Sequence, residues 1–310
     1  MPQQTPFSRR TWNLVKNPNR TFGAKLVTLK NLLVLFLKKV KRLRVTVKPT
    51  RTWRHFGWGM ASHAALPWDR DDSTDQTGLE FAEANQRLLN KIEQNQFIVS
   101  QWKMIGETYS IEPSKTLDLL SWRHYLVFWT AKYSARFTKS SKLAMVEAGV
   151  CDGMTINFAI SALETELGKN SNFEVFLYDS WSAIKEEHLT TKEMFAAGDY
   201  AYLSMEQTKI NLEEFQERCR FVKGYIPDVF KENAGPNEIS WLHIDLNSSM
   251  PTLKTLEHFV PRLLPGGLVL FDDYGWRHCE ETKEVADKFC SKFEGLMMPF
   301  PTGQAIFFKH

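Results

Sequence analysis

The chain predicts an α/β fold: a mostly parallel sheet with an antiparallel last strand, preceded by a helical N-terminal cap and a basic arm. From Ala144 onward, short apolar runs alternate with amphipathic stretches, as when parallel strands cross over through helices. Two of these runs, Leu242-His243-Ile244-Asp245-Leu246-Asn247 and Val269-Leu270-Phe271-Asp272-Asp273-Tyr274, end in carboxylates. A buried strand core tolerates such charges only beside a compensating partner. Charge is also segregated along the chain. Residues 1–68 hold 14 of the 39 Lys and Arg and none of the 36 acids, so the remainder carries 25 basic against 36 acidic residues, a net of −11. A basic arm on an acidic body implies two parts with different work.

Taken in order, the expected parts are an arm over 1–60, a linker over 61–78, a helical cap over 79–140 and the α/β domain over 141–310. In the arm, Leu26, Leu29, Leu33, Phe36, Val40 and Leu43 form a helical stripe flanked by Lys38, Lys39, Lys41, Arg42 and Arg44. The uninterrupted apolar run over 32–37 falls far short of the roughly 20 residues that span a bilayer. Three readings compete for residues 21–45: a helix on an anionic membrane surface, a helix docking on a partner or a second subunit, and a cleaved targeting peptide. Ser8-Arg9-Arg10 hints at a twin-arginine signal, but no apolar region follows it directly. The acidic body argues against a large nucleic-acid surface. Four scattered cysteines, with no paired spacing, read as buried thiols in a reducing compartment. A cytoplasmic protein, peripheral at a membrane if the arm is a surface helix, is the expectation, with homo-oligomerisation left open.

In the cap, Leu119, Trp122, Tyr125, Leu126 and Trp129 predict an aromatic-rich amphipathic helix packed on the following domain. Strands are expected at about 144–150, 174–179, 219–225, 240–246 and 267–272, and helices at about 155–168, 251–264 and 279–293. Ile156, Ala159, Ile160, Leu163 and Leu167 share one face of the first helix, as a sheet-covering helix requires. Pro251 suits a first helical turn, and Pro265-Gly266-Gly267 should end that helix. Residues 182–218 are long for a simple connection and should hold one or two helices that, with the cap, form a lid. Residues 295–301 and 304–308 should close the sheet as an antiparallel pair.

Chemistry concentrates at the expected strand ends. If the two carboxylate-tipped strands are neighbours, Asp245, Asp272 and Asp273 meet at the edge where open α/β sheets bind ligands. Three hard oxygen donors there describe a divalent-metal site, most naturally Mg²⁺. The first strand runs into Glu147-Ala148-Gly149-Val150-Cys151-Asp152-Gly153, an acid followed by a glycine-rich turn that lets backbone approach a ligand. It is not a dinucleotide fingerprint and implies no pyrophosphate cradle. The next strand ends at Asp179, where an acid takes ribose hydroxyls in nucleotide-binding folds; the alternative is a cap on a helix starting at Ser180-Trp181. A ribose without a phosphate, beside an acid able to meet an ammonium group, suggests S-adenosylmethionine (SAM).

Several motifs in order, from Val146 to Gly153, Leu177 to Trp181, Phe221-Val222-Lys223-Gly224-Tyr225-Ile226-Pro227-Asp228, His243 to Thr252, Leu264 to Gly275 and Pro301 to Phe308, resemble class I, Rossmann-like SAM-dependent methyltransferases of the macrocin O-methyltransferase type. The resemblance covers about residues 115–310. It implies a magnesium-dependent transfer of methyl from SAM to a hydroxyl of a sugar or another polyhydroxylated small molecule. The implied cofactor contacts are Glu147, Gly149, Val150, Gly153, Thr155, Asp179, Ser180 and Gly224. The metal, a Lewis acid and template for the acceptor hydroxyl, falls to Asp245, Asp272 and Asp273. Sugar-modifying members carry a second Asp, the favoured base, two residues after the first ligand. Here that position is Asn247, so His278 and His243 become the titratable candidates by location. Tyr274, Gly275 and Trp276 are expected to line the acceptor pocket, unless they are ordinary packing beneath a loop. Two other readings stay open: a methyltransferase of another substrate class recruited through the basic arm, and an inactive SAM-fold scaffold.

Overall fold

The computed structural model describes Trp68 and residues 75–310, except 105, 106, 110, 141 and 194. The arm, with its stripe from Leu26 to Leu43, and most of the expected linker lie outside the described residues. Among the described residues, no helix is long and apolar enough to cross a membrane.

Helix α1 (Gln76–Glu93) starts inside the expected linker, because the Asp75 carboxylate accepts the Thr77 N–H at 3.0 Å and caps it. Phe81, Ala84, Leu88 and Ile92 form its buried stripe. A small hairpin, β1 (Trp102–Met104) and β2 (Glu107–Tyr109), interrupts the cap; three-residue strands are too short to show alternation in the sequence. Then come α2 (Pro113–Leu119) and α3 (Ser121–Phe137). Of the expected stripe, Tyr125 and Leu126 are buried and Trp122 packs on the core, while the break at Leu120 leaves Leu119 63% exposed and Trp129 36%, and His124, Val127, Phe128 and Ala131 face inward as well. Lys132 on α3 is almost fully buried and pairs with Glu80 of α1 and, at 3.3 Å, with Glu166. The cap is therefore bonded into the body.

The body is a seven-stranded sheet. Its strands are β3 (Leu143–Ala148), β4 (Phe173–Asp179), β5 (Cys219–Lys223), β6 (Ile239–Ile244), β7 (Leu263–Phe271), β8 (Gly295–Pro299) and β9 (Ala305–Lys309), in the order β5-β4-β3-β6-β7-β9-β8. The first five are parallel; β9 runs antiparallel to β7 and β8. β3 and β6 are buried along their whole length, as central parallel strands are. Alternation divides the core between the two faces. Met145, Leu177, Trp241 and Leu270 pack against the cap and α4 (Met154–Leu167). Val146, Leu242, Val269 and Phe271 pack against α7 (Ser249–Phe259) and α8 (Glu280–Cys290). Short helices α5 (Met205–Asn211) and α6 (Val229–Glu232) flank β5. Phe128, Phe158 and Trp241 are fully enclosed, each stabilising the fold by about 1.5–3 kcal/mol.

The largest boundary difference lies at 260–267. Helix α7 ends at Phe259, a 3₁₀ turn covers Val260–Arg262, and β7 begins at Leu263. Pro265-Gly266-Gly267 sits within β7, where the register with β6 jumps from Ile239↔Leu263 to Trp241↔Leu268. Gly266 has φ +80°, and a Cβ there would meet the Phe137 carbonyl oxygen at 2.5 Å. The Pro-Gly-Gly signal thus marks a bulge pressed under the end of α3.

Candidate active site

Successive connections lead outward from β3 in one direction to β4 and β5, and in the other to β6 and β7. The crevice of such a sheet opens where the direction reverses, at the C-terminal strand ends. Register aligns those ends: Ala148 pairs Ile244, and Ile244 pairs Phe271. The ladder runs one step further through Asp245 N–H to Ala148 O at 2.8 Å and Asp272 N–H to Ile244 O at 2.9 Å. Gly149, Asp245 and Asp272 therefore leave the sheet side by side. Gly149 has φ +88°, and a Cβ there would lie 1.9 Å from the Asp245 carbonyl oxygen, so only glycine lets the two loops touch.

The turn after β3 is held by Asp179. One of its oxygens accepts the Val150 and Cys151 N–H groups at 2.7 and 2.9 Å; the other accepts Trp181 N–H at 2.7 Å. Burial pushes this carboxyl up, and these backbone bonds hold it down. No helix starts at Ser180, so Asp179 braces two turns against each other. Gly149, Val150, Thr155, Asp179, Ser180 and Gly224 all line one cleft. Gly153 does not. It begins α4 with φ +87°, against Leu212 and Thr208.

Glu147 also stands outside the cleft wall. It is fully buried and meets His243 Nδ1 at 2.9 Å, with its other oxygen unpartnered. Burial, followed by Asp245, pushes its pKa well up. Its side chain belongs to β3's interior rather than to the turn, which explains the difference from the expected cofactor contact.

Asp245, Asp272 and Asp273 each bring a carboxylate oxygen within 4.8 Å of the others. Desolvation and then the charge of Asp273 push Asp245 up, and desolvation leads the rise of Asp273; the two share a hydrogen bond. Asp273 also accepts the Asn247 N–H at 3.0 Å. Asn247 takes φ +57° and faces the cleft beside Asp245. Asp272 is engaged from inside the protein: Gln304 Nε2 donates to Oδ1 at 2.8 Å, His243 Nε2 lies 3.8 Å from Oδ1, and Arg123 of α3 pairs with Oδ2.

Neither expected histidine reaches the cleft. His243 is completely buried, and burial lowers its pKa to about 3. His278 sits half-buried in a left-handed turn away from the cleft wall. Tyr274 turns into the core and donates to Asp287 at 2.5 Å, while Trp276 stands over Arg123 at 5.6 Å. Neither aromatic lines the cleft, nor does Gly275, and of the three clustered aspartates only Asp245 does. The residues missed from sequence are His124, His188 and Tyr200 on the cleft wall, and Arg123, Gln304 and Glu193 behind it. Tyr200 adopts φ +65°, uncommon for a bulky side chain and a signal invisible in sequence.

Comparison with known proteins agrees with this geometry. Residues 146–274 match the family described as "Methyltransferase domain". A Streptomyces olivaceus protein named 8-demethyl-8-(2,3-dimethoxy-alpha-L-rhamnosyl)-tetracenomycin-C 4'-O-methyltransferase is 27% identical over 177 residues, 54% of this chain and 65% of the relative. The chain thus matches somewhat less than two thirds of that relative's length. The structure of the O-methyltransferase NovP aligns with a TM-score of 0.56 at 16% identity, over 76% of this chain and 99% of NovP. CalS11, a calicheamicin methyltransferase, aligns with a TM-score of 0.47 at 16% identity, over 73% and 91%. The NovP likeness concerns the fold, and the family match locates the domain. Residues 146–274 match that methyltransferase domain family, and they lie in a sheet with the Rossmann-like methyltransferase fold.

Proposed function

We propose that this protein transfers a methyl group from SAM to a hydroxyl of a sugar or another polyhydroxylated small molecule, assisted by a divalent cation. One observation carries the reading: the Asp179-braced turn and the Asp245 edge meet in one cleft, at strand ends matched in register. Gly149, Val150, Thr155, Asp179, Ser180 and Gly224 would hold SAM, which when bound supplies an electrophilic methyl group. The name of the Streptomyces olivaceus relative supports a sugar hydroxyl as acceptor.

Asp245, Asp272 and Asp273 would hold the cation, Mg²⁺ or another divalent ion. The fit rests on their chemistry: three carboxylates this close, two of them pushed up chiefly by desolvation, are a hard oxygen donor set in need of positive charge. When bound, such an ion supplies Lewis acidity to a hydroxyl. The chain's own residues position the reactants. The Gly149 turn brings the donor side into contact with the Asp245 edge, and alignment of this kind supplies much of a transfer's acceleration. Asn247 cannot take a proton at neutral pH. His188 on the cleft wall, its pKa lowered by burial, offers an imidazole there.

The test is transfer of labelled methyl from SAM to a panel of vicinal diols and glycosides. EDTA should abolish turnover, Mg²⁺ should restore it, and Asp272→Ala should lower it by about 100-fold or more. Full turnover in EDTA would remove the cation from the reading, and no turnover on any hydroxylated acceptor would favour an inactive scaffold.

A further inference from the structure

Arg123 is a cation supplied to the acidic edge by a helix far away in sequence. Its guanidinium pairs with Asp272 Oδ2 and stands over Trp276 at 5.6 Å. Asp272 Oδ1 is already taken by Gln304 at 2.8 Å, so both oxygens of this carboxylate are engaged from within. Any cation taking Asp272 must share an oxygen with one of these partners.

Other nearby charged or titratable groups have different commitments. Glu193 accepts the Ser249 and Thr190 N–H groups at 2.7 and 2.9 Å. Asp152 accepts the Ser100 N–H at 3.0 Å, and Glu147 is bonded to His243. His124 and His243 are held neutral by burial. Among the described residues, Arg123 is thus the fixed positive charge paired with the cluster. Two like charges sharing a partly desolvated site repel strongly.

We propose that Arg123 is a built-in counter-cation that competes with the divalent ion for Asp272, so that ion binding weakens the tie between the cap helix α3 and the acidic edge. The proposal rests on the cation reading above. Arg123 is here a positioning residue: it sets how tightly the ion is held and links its occupancy to the cap.

The experiment is calorimetric titration of the full chain with Mn²⁺ alone, with neither SAM nor acceptor present. Arg123→Met should bind Mn²⁺ about tenfold or more tighter than the wild type, whereas Arg123→Lys, keeping the charge, should stay near wild type. Equal or weaker binding by Arg123→Met overturns the proposal, as does Arg123→Lys binding as tightly as Arg123→Met. A wild type that binds Mn²⁺ while Arg123→Met gains nothing sinks the counter-cation and leaves the cation reading standing. If neither binds, both fail. Should Arg123→Met not fold, hydrogen exchange on the wild type decides. Saturating Mn²⁺ should speed amide exchange in the first turns of α3, and an unmoved α3 overturns the coupling.

Discussion

His124 shows what a single side chain can do at this cleft. It is 2% exposed, its ring stacks on Phe158 at 4.6 Å, and its Nδ1 has no partner. Burial, with Arg123 and His243 adding to it, lowers its pKa from 6.5 to about 3. The unfolded chain therefore takes up the proton first as pH falls. The stabilisation is complete above pH 6.5 and is lost progressively toward pH 3, by up to about 1.4 kcal/mol per pH unit. Urea unfolding at pH 7, 6 and 5 should show this slope added to a like one from His243, whose pKa burial also lowers to about 3, and His124→Phe should remove His124's share; an unchanged slope would mean that other groups govern the acid side. At this scale the sequence was partly legible. Asp245, Asp272, Asp273 and Gly149 stood out because carboxylates and glycine at the ends of apolar runs are costly unless used. His124, Arg123 and Gln304 were not legible: each is an ordinary residue in its own helix or strand and gains meaning only from partners more than 100 positions away or across the sheet.

Among the elements, residues 182–218 were expected to fold as one or two helices. They hold the single full helix α5, with 3₁₀ turns at Glu186–His188 and Glu213–Phe215. Side-chain bonds to backbone take the place of regular structure, a substitution that sequence periodicity does not register. Glu193 is the main one, accepting the N–H of Ser249 at the start of α7 and that of Thr190 in its own loop. Glu193→Ala should cost about 1–2 kcal/mol. Exchange should accelerate at Thr190 and Ser249 and stay unchanged in β3 and β6; a uniform rise would show that the loop unfolds only with the whole domain. Asn211 works alike on the other side, bonding the Ile98 N–H at 2.9 Å and the Asp152 carbonyl at 2.8 Å. The strands were better predicted because a parallel strand buried on both faces leaves a continuous apolar run that needs no distant partner.

For the whole molecule, the α/β alternation was legible from Ala144 to the C-terminus, and the helical cap in outline. The register bulge in β7 was not, since Pro-Gly-Gly signals a turn as readily as a bulge. The basic arm makes its own prediction. If residues 21–45 lie on anionic membranes, the full chain should co-sediment with anionic vesicles and lose this on truncation near residue 60. Equal behaviour of the two would transfer the stripe of Leu26, Leu29, Leu33, Phe36, Val40 and Leu43 to a protein partner.

The reversal of strand order between β3 and β6 has a genetic consequence. Everything proposed to grip the methyl donor is encoded between Gly149 and Gly224, while the proposed cation ligands are encoded between Asp245 and Asp273, and the two stretches touch at the Gly149–Asp245 contact. Mutation can therefore remodel acceptor chemistry in one stretch of the gene while the other keeps its donor, provided that Gly149 is spared. Asn247 stands on the acceptor side of that seam, beside Asp245.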